Sequence, residues 1–228
     1  VRAALAVLDL ESGREGPASR LLEETAGDDW AELARDPELV GTAGWLAEAC
    51  ARLGDRVRAA QLYERLLPWA SHQSSIYAIV GRGSLARYLG LLARTAGRLD
   101  DAVRCFEQAL AANRAVEAEL YEAWTQWNLA ETLRVRDAAG DAPRAAELEA
   151  AATATAERLQ LGRLRDAVDD RRRVVTVDEH RSRAEVIGGA GASCEHERAA
   201  ARFVEDRELL RNEIHTVASW RHQGHVGG

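Results

Sequence analysis

The sequence predicts an all-α fold, a right-handed superhelix of stacked helix-turn-helix pairs, and three observations predict it. Gly13, Gly54, Gly97 and Gly140 are each followed five residues later by alanine, at Ala18, Ala59, Ala102 and Ala145. The glycines stand 41, 43 and 43 residues apart, and a period of roughly 20 to 50 residues is the signature of stacked repeats. The segments that precede them, VRAALAVLDL, ELVGTAGWLAEACARL, GSLARYLGLLARTA and AWTQWNLAETLRV, carry apolar residues at steps of three and four, the helical period. No stretch before residue 173 reads well as a strand.

Taken in order, helices are expected near 1–12, 17–26, 38–53, 56–69, 76–96, 99–114, 117–136 and 142–160, with a further short one in DDWAELARD, 28–36. Each repeat is then a helix, a turn at glycine and a second helix, about four repeats over residues 1–162. Glycine turns the chain through the left-handed region without steric penalty. The alanine permits a close helix crossing, and one turn later Leu22, Tyr63 or Phe106 supplies a large apolar knob on the same face. The fourth copy has Glu149 at that position and must bury Leu148 and Ala152 instead, which marks it as degenerate or as an end of the array.

Residues 163–194 read as a polar, arginine-rich and glycine-broken linker. In 195–228, Ala199, Phe203, Leu210, Ile214 and Val217 fall at helical steps. That segment is expected to form a capping helix over the last repeat, whose apolar face would otherwise be exposed, followed by a disordered tail. The competing reading is an atypical extension that stays disordered throughout.

Composition removes several classes of function. The 228-residue chain contains no lysine, so all 30 of its basic residues are arginine. A P-loop phosphate clamp, a kinase-type lysine and a Schiff base are therefore all excluded. A net charge of −7 argues against direct nucleic-acid binding. The chain has no long apolar run and no apolar leader, which sets the expectation of a cytoplasmic protein with no membrane contact. The absence of methionine, at position 1 as elsewhere, suggests a piece of something longer. Cys50, Cys105 and Cys194 cannot all pair and read as free thiols.

Sites of chemistry are scarce. His180, His196, His215, His222 and His225 with Cys194 match no closed zinc pattern. VGRGS at 80–84 lacks the preceding strand and lysine of a phosphate loop and reads as a break before a helix. Ser71, His72 and Asp55 have the residue types of a hydrolytic triad without its spacing. Neither an enzyme nor a cofactor or metal is expected.

The repeat units also have a family likeness. From Gly83, the residues Leu89, Gly90, Ala93, Ala102, Phe106 and Ala109 fill the small and large positions of a tetratricopeptide repeat, with Ala86 and Arg114 departing from it. From Val40, the residues Leu46, Ala47, Cys50, Ala59, Tyr63 and Leu66 do the same. More narrowly, LAEACARLGDRVRAAQLYERLLPWA, GSLARYLGLLARTAGRLDDAVRCFEQALAANR and AWTQWNLAETL resemble the C-terminal repeat region of large bacterial ATP-binding regulators. Those proteins carry a LuxR-type DNA-binding end or an adenylate/guanylate cyclase domain. The resemblance implies a regulator of three parts: a nucleotide-switched ATPase, a repeat region that senses or holds a partner, and an output domain. Only the middle part is present in residues 1–162. TVDEH and RSRAEV at 176–186 lack a helix-turn-helix before them.

In stacked repeats the first helices line a concave face. The register places there Glu48 and Arg52, then Arg87, Leu91 and Arg94, then Trp124, Trp127, Glu131 and Arg134. Arginine and tryptophan are the usual anchors of interfaces. The expected occupant is a protein or peptide, which includes the rest of the protein's own chain. The alternative is a small-molecule inducer held near Trp124 and Trp127. A plainer reading has the tryptophans packing between helices and the arginines solvating the surface.

Overall fold

The computed structural model describes residues 2–27, 30, 33, 39–76 and 80–173. The helices in chain order are α1 (Arg2–Glu11), α2 (Glu15–Ala26), α3 (Leu39–Leu53), α4 (Arg56–Leu66), α5 (Leu85–Thr95), α6 (Leu99–Ala115), α7 (Glu119–Arg136) and α8 (Asp141–Arg158). A ninth, α9, covers 162–173. The strands β1 (Gln73–Ile76) and β2 (Val80–Ser84) form an antiparallel hairpin ahead of α5. The repeat stack lies within one compact unit, Val1–Asp169, and it is an all-α repeat fold with one inserted hairpin.

The repeat chemistry holds in all four copies. Gly13, Gly54, Gly97 and Gly140 have φ of +71°, +65°, +84° and +86°, the left-handed region that glycine enters at no cost. Ala18, Ala59, Ala102 and Ala145 are each 0% exposed at the helix crossings. Leu22, Tyr63 and Phe106 fill the adjoining space. Glu149 departs as expected, pairing with Arg134, while Leu148 and Ala152 turn inward. Asp55 caps α4, its carboxylate accepting the Arg58 N–H at 3.0 Å.

Buried side chains form a continuous core from Ala3 to Ala145 through Leu46, Leu62, Leu89, Phe106 and Leu133. A smaller second core joins Ala123, Trp127, Ala152, Ala156, Leu164 and Val168. Cys50 and Cys105 are buried free thiols, and burial pushes the Cys50 thiol up to about 12. Neither has the lowered pKa of a reactive cysteine. Among the described residues no helix is long and apolar enough to cross a membrane.

Two expectations are corrected. The single helix expected over 76–96 is instead the hairpin followed by α5, which begins at Leu85. Gly83 has φ of +74° and cannot continue an α-helix, while Ser84 caps α5 by accepting the Ala86 N–H on its hydroxyl. The glycines at 81 and 83, with β-branched residues before them, make extended backbone the better conformation here. The second correction concerns 163, where a linker was expected to begin. Helix α9 lies there instead, and Leu164 and Val168, one turn apart, seal the second core. Much of the short helix expected at 28–36, the rest of the linker, the capping helix at 195–228, Cys194 and the five C-terminal histidines fall outside the described residues.

Candidate docking surface

Three helices hold the hairpin. The Ser74 hydroxyl donates to the Val40 carbonyl of α3 at 2.9 Å. From α6, the buried Asn113 accepts the Ser84 N–H at 2.9 Å and donates to the Thr125 hydroxyl at 3.2 Å. From α7, the Tyr121 Oη donates to the Gly81 carbonyl at 2.8 Å. A buried polar network with its partners in place rigidifies what it joins.

Arg82, carried by β2, reaches across to α3. Its guanidinium lies 4.8 Å from the Trp45 ring centroid and 5.4 Å from that of Tyr88, and pairs with Glu48 at 3.4 Å. Arg87 meets the same glutamate at 3.6 Å, stacks on Tyr88 at 5.0 Å and on Trp124 at 5.7 Å, and donates to Asn128 Oδ1 at 3.1 Å. Such stacking contributes about 0.5–2 kcal/mol per contact when desolvated. It helps offset the cost of burying Arg82, whose Nη1 has no hydrogen-bond partner. Further along, Arg134 bridges Glu131 at 2.8 Å and Glu149 on α8.

The expected site residues therefore separate into groups. Glu48, Arg87 and Trp124 come together in one cluster, and Glu131 and Arg134 in a second. Arg52 is exposed and donates to the Leu10 carbonyl at 2.8 Å, closing off the end of α1. Arg163 at the start of α9 pairs with Glu11 at 3.0 Å, joining the first helix of the stack to the last. Leu91 and Trp127, at 5% and 7% exposed, belong to the core and not to the surface. Arg87, 6% exposed, is likewise buried structure. For Trp127 the reason is α9, which covers the flank of α7 that the repeat register leaves open.

Arg94 stands between the two clusters, half-buried, with no hydrogen bond or ion pair from its guanidinium to the described residues. Burial pushes its pKa down, Glu131 acts through space to raise it, and Arg87 lowers it further. Residue types alone did not reveal Trp45, Arg82, Tyr88, Tyr121 and Asn128. The signal for Arg82 was its place between two glycines, which marks a turn-rich segment and says nothing of the rings it meets.

The triad-like residue types are occupied elsewhere. Asp55 holds the Arg58 N–H and guanidinium, and His72 meets Trp69 edge-on at 5.3 Å. Among the described residues no group of histidine, cysteine and carboxylate side chains is arranged to hold a metal.

The fold is that of an all-α helical-repeat scaffold. The tetratricopeptide repeat family model matches residues 46–75, the second of the four units, where Leu46, Ala47, Cys50, Ala59, Tyr63 and Leu66 are the residues that carry the likeness. Tetratricopeptide repeats generally mediate protein–protein interaction and are typically non-catalytic. No curated protein and no solved structure matches the chain.

Proposed function

We propose that this chain is a non-catalytic interaction module whose inner face, between the hairpin and α8, takes a peptide segment of a protein partner. The observation that carries this reading is two groups of polar and aromatic side chains carried on α3, α5 and α7: Trp124, half-buried under Arg87, which also meets Glu48, and Glu131 paired with Arg134. Aromatic and arginine anchors held by packing bind with little loss of side-chain entropy. The test is selection of a random-sequence peptide library on the full chain, with a Trp124→Ala chain as comparison. Peptides that bind the first and are lost on the second support the reading. No enrichment, or enrichment indifferent to Trp124, overturns it.

The finer reading is that the module is the sensing or scaffolding part of a bacterial ATP-dependent regulator, a transcriptional activator or a cyclase-type signalling protein, acting in the cytoplasm. It is supported by the likeness of residues 1–162 to such repeat regions. A lysine-bearing P-loop encoded in the same reading frame is the expected accompaniment, and an unrelated flank would count against it. The inducer-binding alternative is less supported, because Trp127 is buried and Trp124 is stacked by Arg87, so the two indoles do not offer an open pair to a small molecule.

A further inference from the structure

Trp45 and Glu48 of α3 and Tyr88 of α5 form a box around the Arg82 guanidinium, whose carbon lies 4.8 Å from the Trp45 centroid and 5.4 Å from that of Tyr88. Gly44 makes room for it: a Cβ there would come within 2.9 Å of Arg82 Nη1 and 3.0 Å of Tyr88 Cζ. The occupant satisfies its box incompletely. Arg82 Nη2 reaches Glu48 only at 3.4 Å, long for a charge-assisted bond, and Nη1 is buried with no hydrogen-bond partner among the described residues. Glu48 is also shared with Arg87 at 3.6 Å, and Arg87 has a closer bond of its own, to Asn128 at 3.1 Å.

The walls do not depend on the Arg82 side chain. Tyr88 Oη donates to the Arg82 main-chain carbonyl at 3.1 Å, and β2 is held further through the Gly81 carbonyl and the Ser84 N–H. These bonds engage main chain alone, so the Arg82 side chain can swing out while the ring and the strand stay in place. Trp45 and Glu48 are part-exposed, and the box meets solvent on their side. Aromatic faces beside one acid suit a planar guanidinium. A lysine ammonium is more strongly hydrated, and a quaternary ammonium has no N–H to give Glu48.

We propose that this box is a receptor for an arginine side chain of the protein partner, and that Arg82 is its internal occupant, an autoinhibitory contact that the partner's arginine displaces. The inference goes beyond the peptide-binding reading above, which stands on Trp124. A site that is free only part of the time binds its ligand more weakly by that fraction, so taking Arg82 away tightens the binding of an external arginine.

The probe is an acetylated and amidated peptide of alternating glycine and arginine, with its lysine counterpart, titrated by calorimetry against the full wild-type, Arg82→Ala and Arg82→Gln chains. The expected result is that both variants bind the arginine peptide about tenfold more tightly than wild type, the effect of an occupant present about 90% of the time. The lysine peptide should change little, which separates the box from the general attraction of a chain of net charge −7 for any cation. Adding Trp45→Leu or Glu48→Gln to Arg82→Ala should abolish the gain, with cooperative melting curves confirming that each chain is folded. Equal affinity in wild-type and Arg82 variants, a gain shared by the lysine peptide, or a gain that survives both added changes overturns the proposal, as does the absence of binding to every chain. None of these outcomes bears on peptides selected through Trp124, so the two readings fail separately.

Discussion

Phe106 of α6 occupies the space that a side chain at Gly90 of α5 would need: a Cβ built on Gly90 comes within 2.6 Å of the ring. The ring is 0% exposed and cannot swing into solvent. Gly90→Ala therefore overpacks the crossing at a cost of about 1–3 kcal/mol, which outweighs the ~1 kcal/mol that alanine gains in helix propensity. Urea unfolding should show the loss, and Phe106→Leu, by making room, should reduce what the alanine costs. A Gly90→Ala change equally harmful in both backgrounds would place the strain elsewhere.

At the partner position on α6, Ala102 is fully buried at the repeat crossing. Replacing it with leucine should cost about 1–3 kcal/mol. Glu107 faces outward and pairs with Arg144 at 2.8 Å, both side chains close to half exposed. Glu107→Gln should change stability by no more than about 0.5 kcal/mol. Equal shifts in thermal midpoint for the two changes would mean that the repeat register is wrong.

The hairpin depends on α7. Tyr121→Phe deletes the hydrogen bond to the Gly81 carbonyl while keeping the ring against Gly83. Because that bond is solvent-accessible, its loss should cost about 0.5–1 kcal/mol. The effect should be local: amide exchange of β2 should quicken a few-fold, with α1 and α2 unchanged. Uniform acceleration across the stack would show that the hairpin unfolds only with the whole domain.

Acid should weaken the α7–α8 junction in a defined window. Arg136 donates to Asp141 from Nη2 at 2.6 Å and from Nε at 2.9 Å, and the Ala138 N–H adds a third bond at 3.0 Å. These bonds, the arginine's first, hold the Asp141 carboxyl below its ordinary value of 3.8. A depressed folded-state pKa contributes stability that is present above the unfolded value and is lost as pH falls through the folded one. Stability measured from pH 6 downward should therefore carry an Asp141 contribution that is intact above about pH 4, starts to fall there, and is gone only once the pH has dropped below the depressed folded-state value. Asp141→Asn should flatten that part of the curve and leave the rest.

The turns and crossings were legible because they depend on short-range chemistry that each copy repeats. Gly97 needs only its own backbone to turn left, and Ala102 needs only to be small where two helices meet. The hairpin was legible in part, through Gly81 and Gly83, but Ile76 to Val80 fits the apolar spacing of a helix nearly as well as that of a strand. Helix α9 was hidden for a different reason: two apolar residues, Leu164 and Val168, among arginines and aspartates, make too narrow a stripe to stand out before α7 and α8 are in place beside them.

Helix α5 shows the same division. The order of helices, the repeat length and the absence of P-loop and lysine chemistry follow from residue identities and spacing alone. Which residues of α5 line a surface does not, because every residue from Leu85 to Ala93 is buried. Periodicity reports a face only when one side of a helix meets water, and α5 is enclosed by α3, α4, α6 and the hairpin. Packing therefore took Arg87 into a stack with Tyr88 and Trp124, took Leu91 and Trp127 into the core, and left Arg94 half-buried.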